Sequence, residues 1–237
     1  MRAARGNILF LILLAVVLFA ALTYAVTQGM RGGGNDASPE KNRAIAAEII
    51  NYATLMEQTV TRLRMTGGCD ISQVSFENPV VSGYTNTTPS PADKHCHVFD
   101  PAGGGMSWKT PDLLWLEDQA IANTYAYGGG DYGTFNIPST SCIYGIGTAT
   151  CSNKAAEKDL MIGLKYLKKE VCDAINAQLG LTTLSVQNAG PAGSLSRFTG
   201  QFLDLSVGAG SNTDYKWTYC AATSRTGYTF YHVLMAR

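Results

Sequence analysis

Residues 7–28 read NILFLILLAVVLFAALTYAVTQ, and this stretch decides how the rest of the chain is organised. It carries no charged side chain, and the residues from Ile8 to Thr23 include a single polar one. About 20 apolar residues, rising 1.5 Å each, span a hydrocarbon core of roughly 30 Å. The stretch therefore predicts one transmembrane helix, and the lipid bilayer is the first partner that we expect.

The charges on either side of this stretch predict its orientation. The basic leader, residues 1–6, contains Arg2 and Arg5, whereas Arg31 is the only charge close behind the stretch. Because positive residues flank the cytoplasmic end of membrane helices, we expect the domain that follows to lie outside the cytoplasm. A cleaved secretory signal ending at Thr23-Tyr24-Ala25 is the alternative, but Tyr24 and the long apolar run favour a retained anchor.

The junction between leader and helix resembles the prepilin leader of type IV pilins and type II secretion pseudopilins. Gly6 is followed directly by Asn7 and an unbroken apolar helix. The resemblance implies that a membrane peptidase cuts between Gly6 and Asn7, and that the new N-terminal helix packs into a filament core. This chain has Leu11 where the family usually has the glutamate that pairs with a neighbouring terminal amine; some minor, tip-located pseudopilins also lack that glutamate.

The prepilin resemblance covers only about the first 30 residues. Beyond them, residues 76–86, 96–105 and 228–237 read FENPVVSGYTN, CHVFDPAGGG and YTFYHVLMAR. These segments are similar to pilin-like exported proteins of bacteria. The partners that the resemblance implies are further copies of the chain, or subunits of a pilus or secretion machinery.

Composition excludes one large class of function. The chain of 237 residues has 18 basic and 18 acidic residues and no formal net charge. Nucleic-acid binding usually requires a clustered basic excess, which is absent from this sequence. With 46% apolar residues, the part beyond the membrane is long enough to build a sizeable core.

The cysteine count predicts disulfide bonds. All six cysteines follow the apolar stretch, and an even number in an exported domain is typical of a disulfide framework. Sequence alone leaves all pairings open, but the short Gly-rich run between the middle two favours a local bridge. The expected pairs are therefore Cys142 with Cys151, Cys69 with Cys96, and Cys172 with Cys220.

Glycines divide the exported part into a hinge and a folded domain. Residues 29–37 form a Gly-rich hinge, because the consecutive Gly32, Gly33 and Gly34 have high backbone freedom. The extracytoplasmic domain then occupies residues 38–237. Within it, Ser38-Pro39 predicts the start of a helix that ends near Met65. Its predicted buried stripe consists of Ile45, Ile49, Tyr52, Met56, Val60 and Leu63.

The rest of the domain predicts one more long helix and several strands. Helical spacing of apolar residues favours a helix from about Lys154 to Leu179, with Lys165, Lys168 and Lys169 on its solvated face. The strands are expected at Val74–Phe76, Pro79–Val81, Leu181–Gln187, Gln201–Val207, Tyr215–Ala221 and Tyr228–Met235. The fold class is therefore α+β, with an N-terminal transmembrane helix, a second helix and a disulfide-linked domain that ends in an antiparallel sheet.

The residues capable of chemistry do not form a recognised catalytic or metal motif. Asp93, His95, Cys96 and His97 are metal-capable, but their spacing is not that of a zinc site. A strand bearing a disulfide cysteine and two solvent-facing imidazoles explains them more simply. His232 lies in an apolar strand, where we expect a hydrogen-bonded structural histidine. We predict no enzymatic activity, no cofactor and no metal.

Two classes of function fit this sequence. The first is a minor pilin-like or pseudopilin-like subunit that assembles through its apolar helix. The second is a membrane-tethered binding domain or adhesin that does not enter a filament, which the three hinge glycines favour; an extracytoplasmic enzyme fits less well. The expected location is the inner membrane with the C-terminal domain in the periplasm, or an extracellular filament.

Overall fold

The structure is a computed structural model. It describes residues 14–20, 39–88, 90–126, 128–143, 145–147, 155–181, 186–187, 196–202, 207–208 and 216–237. Several predictions concern residues outside this set. They are the leader with its junction at Gly6 and Asn7, the hinge with Gly32, Gly33 and Gly34, most of the apolar stretch, and Cys151.

The chain divides into two compact units, Met1–Lys41 and Asn42–Arg237. In the first unit, helix α1 is described over residues 14–20, whose side chains are exposed. Among the described residues, no helix combines the length and the apolar character needed to cross a bilayer.

The predicted helix after the hinge is confirmed as α2, Pro39–Met65. Every residue of its predicted stripe is buried, because the spacing of three and four keeps these side chains on one face. The helix ends at Met65 as expected, and Gly68 just beyond it adopts a positive φ of 68°. Tyr52 packs against Phe135 of the sheet, with ring centroids 4.9 Å apart.

The main sheet has the order β1-β3-β7-β6-β4. Its strands are β1 Phe135–Asn136, β3 Leu160–Leu167, β7 Gly227–Met235, β6 Thr218–Thr223 and β4 Val186–Gln187. The first four are antiparallel neighbours, and β4 pairs with β6 in parallel. The predicted C-terminal hairpin is confirmed as β6 and β7. Two further strands, β2 Ser141–Cys142 and β5 Val207–Gly208, pair in parallel as a separate ribbon.

The predicted helix from Lys154 to Leu179 is wrong over its first half, which contains the 3₁₀ turn Ala155–Glu157 and strand β3. Every residue of β3 is buried, because the sheet is covered on both faces. Ile162 joins the core that includes α2, whereas Met161 joins a second apolar cluster on the opposite face. A strand buried on both faces shows no apolar-polar alternation, so its leucines could be mistaken for a helical stripe.

The second half of that prediction is confirmed as α4, Lys169–Gln178. Cys172 of this helix forms a disulfide with Cys220 of β6, with Cα atoms 5.4 Å apart. Asn176 adds two hydrogen bonds to the same strand residue: its Nδ2 donates to the Cys220 carbonyl at 2.7 Å, and its Oδ1 accepts from the Cys220 N–H at 2.9 Å. The Asn176 side chain thereby makes the two hydrogen bonds with the Cys220 backbone that a neighbouring strand could make.

The second expected disulfide, Cys69–Cys96, is also confirmed, with a Cα–Cα distance of 5.8 Å. Cys142 is disulfide-bonded as well. A disulfide restricts the unfolded chain, and loops of this size typically contribute about 2–4 kcal/mol. These two disulfides therefore attach the loop around Cys96 to the segment that follows α2, and α4 to strand β6.

The short strands predicted at Val74–Phe76 and Pro79–Val81 are not formed. Ser75 makes one isolated bridge to His97, and residues 79–81 form a bend. Besides the turn at Ala155–Glu157, the described residues form the 3₁₀ turns Ile71–Gln73 and Leu113–Trp115 and the short helix α3, Gln119–Ala122.

Candidate functional site

An open cleft of about 400 Å³ is the main candidate site among the described residues. Its walls are two loops, residues 77–85 and 94–100. Pockets for small molecules typically measure roughly 300–1,000 Å³, so the cleft is large enough for a ligand.

Backbone pairing fixes the loops that form the cleft. Ser75 donates its N–H to the Cys96 carbonyl at 3.1 Å, and Val98 donates to the Ser75 carbonyl at 2.9 Å. The Cys69–Cys96 disulfide attaches the second loop to the end of α2. The Asn78 side chain accepts the backbone N–H groups at residues 80 and 81, which closes the first loop into a turn. The cleft is therefore formed before any ligand binds.

The backbone of Gly103 and Gly104 packs closely against the second loop, residues 94–100. A Cβ atom on Gly103 would lie 2.8 Å from the carbonyl oxygens of both Lys94 and His95, which is closer than real Cβ contacts. Gly104 donates its N–H to the His97 carbonyl at 2.7 Å. The two glycines therefore permit close packing of one backbone segment on another.

The polar lining of the cleft contains two carboxylates, a lysine and a histidine. Glu77 Oε1 accepts the Thr85 hydroxyl at 2.8 Å, and Glu77 Oε2 faces His97 Nδ1 at 3.9 Å. Lys94 Nζ lies 3.5 Å from Asp100 Oδ2, while the backbone N–H of Ala102 lowers the pKa of Asp100. Both carboxylates are partly exposed and keep oxygens available to a ligand.

The apolar lining is aromatic. Phe99 is half-buried, and Tyr84 is almost wholly buried, with its hydroxyl accepting the Ile137 N–H at 3.1 Å. Burial raises the pKa of Tyr84, so the phenol stays neutral. Trp108 packs edge-on against Phe99 with centroids 5.2 Å apart, and its indole N–H has no hydrogen-bond partner among the described residues.

A buried cluster of charges lies next to the cleft. Asp131 accepts Lys165 Nζ at 2.9 Å on one carboxylate oxygen and Arg197 at 2.8 Å on the other. Arg197 stacks over the Tyr84 ring at 5.6 Å. The Lys165 side chain is 0% exposed, so the prediction that it lies on a solvated helix face is wrong. Desolvation lowers the pKa of Lys165.

The metal-capable group around Cys96 is only partly brought together. Asp93 Oδ1 lies 2.6 Å from His95 Nδ1, and the His95 ring lies within 4.8 Å of the sulfurs of Cys69 and Cys96. Both sulfurs are bonded to each other rather than available as thiolates. His97 is buried against Glu77, so the expectation of two solvent-facing imidazoles is correct for His95 alone.

His232 is hydrogen-bonded, as its position in an apolar strand predicts. Its Nε2 lies 3.0 Å from Glu57 of α2, and its Nδ1 lies 2.7 Å from the Thr218 hydroxyl. Burial lowers the pKa of His232, although Glu57 opposes that shift. This histidine therefore joins the long helix to the sheet.

A second buried carboxylate lies away from the cleft. Asp159 accepts the backbone N–H groups of Ile143 at 2.9 Å and Arg237 at 3.2 Å. Burial raises the pKa of Asp159 to about 6. This carboxylate holds the end of β7 against the loop after β2.

Several residues of the cleft were not predicted from sequence, among them Glu77 and Asp100. They belong to loops whose side chains meet only in the fold, and no motif marks them. Lys165 did carry a signal: a single charge inside the apolar run LMIGLKYL is typical of a buried ion pair.

No family model, curated protein or solved structure matches the chain in comparisons with known proteins. Its function must therefore be inferred from the residues and their geometry.

Proposed function

We propose that the chain is an exported, membrane-anchored protein without enzymatic activity, a minor pilin-like or pseudopilin-like subunit that assembles through its apolar N-terminal helix. The observation that carries this proposal is the order of elements in the folded domain. The long helix α2 comes first, packs its apolar stripe on an antiparallel sheet, and is followed by that sheet at the C-terminal end.

The disulfides support export. Cys69–Cys96 and Cys172–Cys220 have bonding geometry, and disulfides persist in oxidising compartments such as the periplasm and the cell surface. The basic leader and the apolar stretch provide the route, because together they have the features of a membrane anchor with its N-terminus inside.

The mature N-terminus tests this proposal. We expect mass spectrometry of the full chain, expressed in a bacterium that has a prepilin peptidase, to find a protein that begins at Asn7. Gly6→Val should abolish this cut, whereas the control Gly29→Val should leave it unchanged. A product that begins at Met1 or Val26, or one recovered in the cytosol with reduced thiols, would refute processing as a pilin.

The cleft favours a second candidate function, a membrane-tethered binding domain or adhesin. Its loops are braced by a disulfide, and the cleft between them carries polar and aromatic groups. Electron microscopy of material sheared from the cell surface distinguishes the two candidates. A pilin-like subunit should label along filaments or at their tips, whereas a tethered domain should stay with the membrane.

A further inference from the structure

We propose that the cleft between loops 77–85 and 94–100 binds a saccharide that lacks acidic groups. This inference deepens the second candidate function, since it names the ligand of the binding domain and rests on that role. Three properties of the cleft carry it: paired donors and acceptors, an apolar wall, and an acidic charge balance.

The first property is the mixture of hydrogen-bonding groups. Glu77 and Asp100 offer carboxylate oxygens as acceptors, while Lys94, whose Nζ lies 3.5 Å from Asp100 Oδ2, supplies a cationic donor in the same lining. Each sugar hydroxyl can donate to a carboxylate and accept from an ammonium group at once. A ligand with several neighbouring hydroxyls therefore satisfies this lining better than a purely apolar one.

The second property is an apolar wall within the same lining. Pro79, Val81 and the half-buried Phe99 present apolar surface to the cleft. A pyranose ring has one face of C–H groups, so it can lie on such a wall while its hydroxyls reach the polar rim. Trp108 and Tyr84 pack behind this wall and fix the orientation of the Phe99 ring.

The third property is charge. Lys94 is matched by Asp100, which leaves Glu77 as a carboxylate whose nearest cationic candidate, His97, lies 3.9 Å away. A carboxylate on the ligand would be repelled at this wall, whereas a neutral hydroxyl or an amino group would be attracted. The cleft should therefore discriminate against uronic and sialic acids.

The geometry at Lys94 also indicates a built site. Lys94 adopts a positive φ of 59°, which is unfavourable for a side chain of this kind. Such strain persists where surrounding structure fixes it, and it is common at ligand sites. Here the Lys94 N–H donates to the Pro91 carbonyl at 2.9 Å, and the Lys94 carbonyl accepts the His97 N–H at 2.9 Å.

Isothermal titration calorimetry tests this inference. The full chain would be purified in an amine-oxide detergent, because a detergent with a sugar headgroup would compete. The probes are maltotriose, the trimer of N-acetylglucosamine, the trimer of galacturonic acid, and the basic tripeptide Lys-Phe-Lys. We expect saturable binding of at least one of the first two, and weaker or no binding of the acidic trimer.

Matched variants place the binding in the cleft. Glu77→Gln and Asp100→Asn should each weaken saccharide binding by about tenfold, since a charge-assisted hydrogen bond contributes on the order of 1.5 kcal/mol. Asp173→Asn removes a carboxylate from the exposed face of α4 and should leave binding unchanged. Near-UV circular dichroism of each variant verifies that the aromatic packing is intact.

The proposal is overturned if neither neutral trimer binds, if the acidic trimer or the tripeptide binds more tightly, or if Asp173→Asn weakens binding as much as Glu77→Gln. These results leave the mature N-terminus unaffected. A chain that begins at Asn7 but binds no saccharide therefore refutes only the ligand, whereas a chain that binds saccharide but begins at Met1 refutes only the pilin-like subunit.

Discussion

Neutralising Asp131 should destabilise the domain more than removing the lysine that it binds. Asp131→Asn keeps the shape of the side chain, and asparagine tolerates the positive φ of 61° at this position. The change leaves Lys165, 0% exposed, without the carboxylate 2.9 Å away, and leaves Arg197 beside it as a like charge.

The expected loss of unfolding free energy depends on which charge remains buried after the substitution. Removing one partner of a buried ion pair typically costs roughly 3–5 kcal/mol of unfolding free energy, because the remaining charge is uncompensated. Lys165→Met leaves Asp131 paired with Arg197 at 2.8 Å, so we expect a smaller loss of about 1–3 kcal/mol. Lys169→Met is the control: its pair with Asp173 is exposed, so we expect it to contribute much less than either buried residue.

Urea unfolding under oxidising conditions, followed by near-UV circular dichroism, measures these differences. The midpoint and slope should be compared for the three variants and the parent chain. A loss for Asp131→Asn that is smaller than that for Lys165→Met, or no greater than that for Lys169→Met, would show that the buried charge is not the cause of stability here.

Three further predictions use the same unfolding measurement. Asn176→Ala should cost roughly 2–5 kcal/mol, because it leaves both backbone groups of Cys220 buried without their partner. Gly103→Ala should cost roughly 1–3 kcal/mol through overpacking against the loop that borders the cleft. Asp159, whose pKa rises to about 6 on folding, should stabilise the domain below about pH 4 and lose about 3 kcal/mol of that contribution as the pH rises through 6.

Each of these predictions has a matched comparison. Gln178→Ala removes an exposed amide from the same helix as Asn176 and should cost well under 1 kcal/mol. Asp159 binds a proton more tightly in the folded state than in the unfolded state, so its contribution to stability falls as the pH rises. Asp159→Asn should therefore show a smaller loss of stability between pH 4 and pH 7 than the parent; an equal loss would contradict the assignment. Gly103→Ala with unchanged stability would mean that the loop has room to move.

Sequence reasoning was most successful for the buried stripe of α2, two disulfides and the C-terminal hairpin. The stripe of α2 was predicted residue by residue, since one buried face against a sheet produces the helical spacing directly. The pairs Cys69–Cys96 and Cys172–Cys220 followed from position along the chain. The C-terminal hairpin followed from two β-rich segments joined by a short turn.

Sequence reasoning was least successful for a strand whose two faces are both buried and for a cleft formed by loops that are distant in the sequence. β3 lacks alternation because both of its faces are buried, and the spacing of its leucines coincided with that of the helix that follows. In the turn Leu113–Trp115 only Trp115 is buried, whereas Leu114 is 61% exposed, and this difference depends on the neighbours of the turn in the fold. The cleft itself was not predicted, since Glu77 and Asp100 line the same cleft only after a disulfide and a backbone bridge fix their loops.

The sequence by itself determined the apolar stretch and its flanking charges, the long amphipathic helix, and the cysteine framework, because each depends on residues close together or on composition. Tertiary structure decided the double-sided burial of β3, the placement of Lys165 beside Asp131, and the lining of the cleft. These features depend on the second face of a sheet and on contacts between distant residues. The physical reason is that burial and charge pairing are properties of a residue's neighbours in space, which periodicity along the chain does not encode.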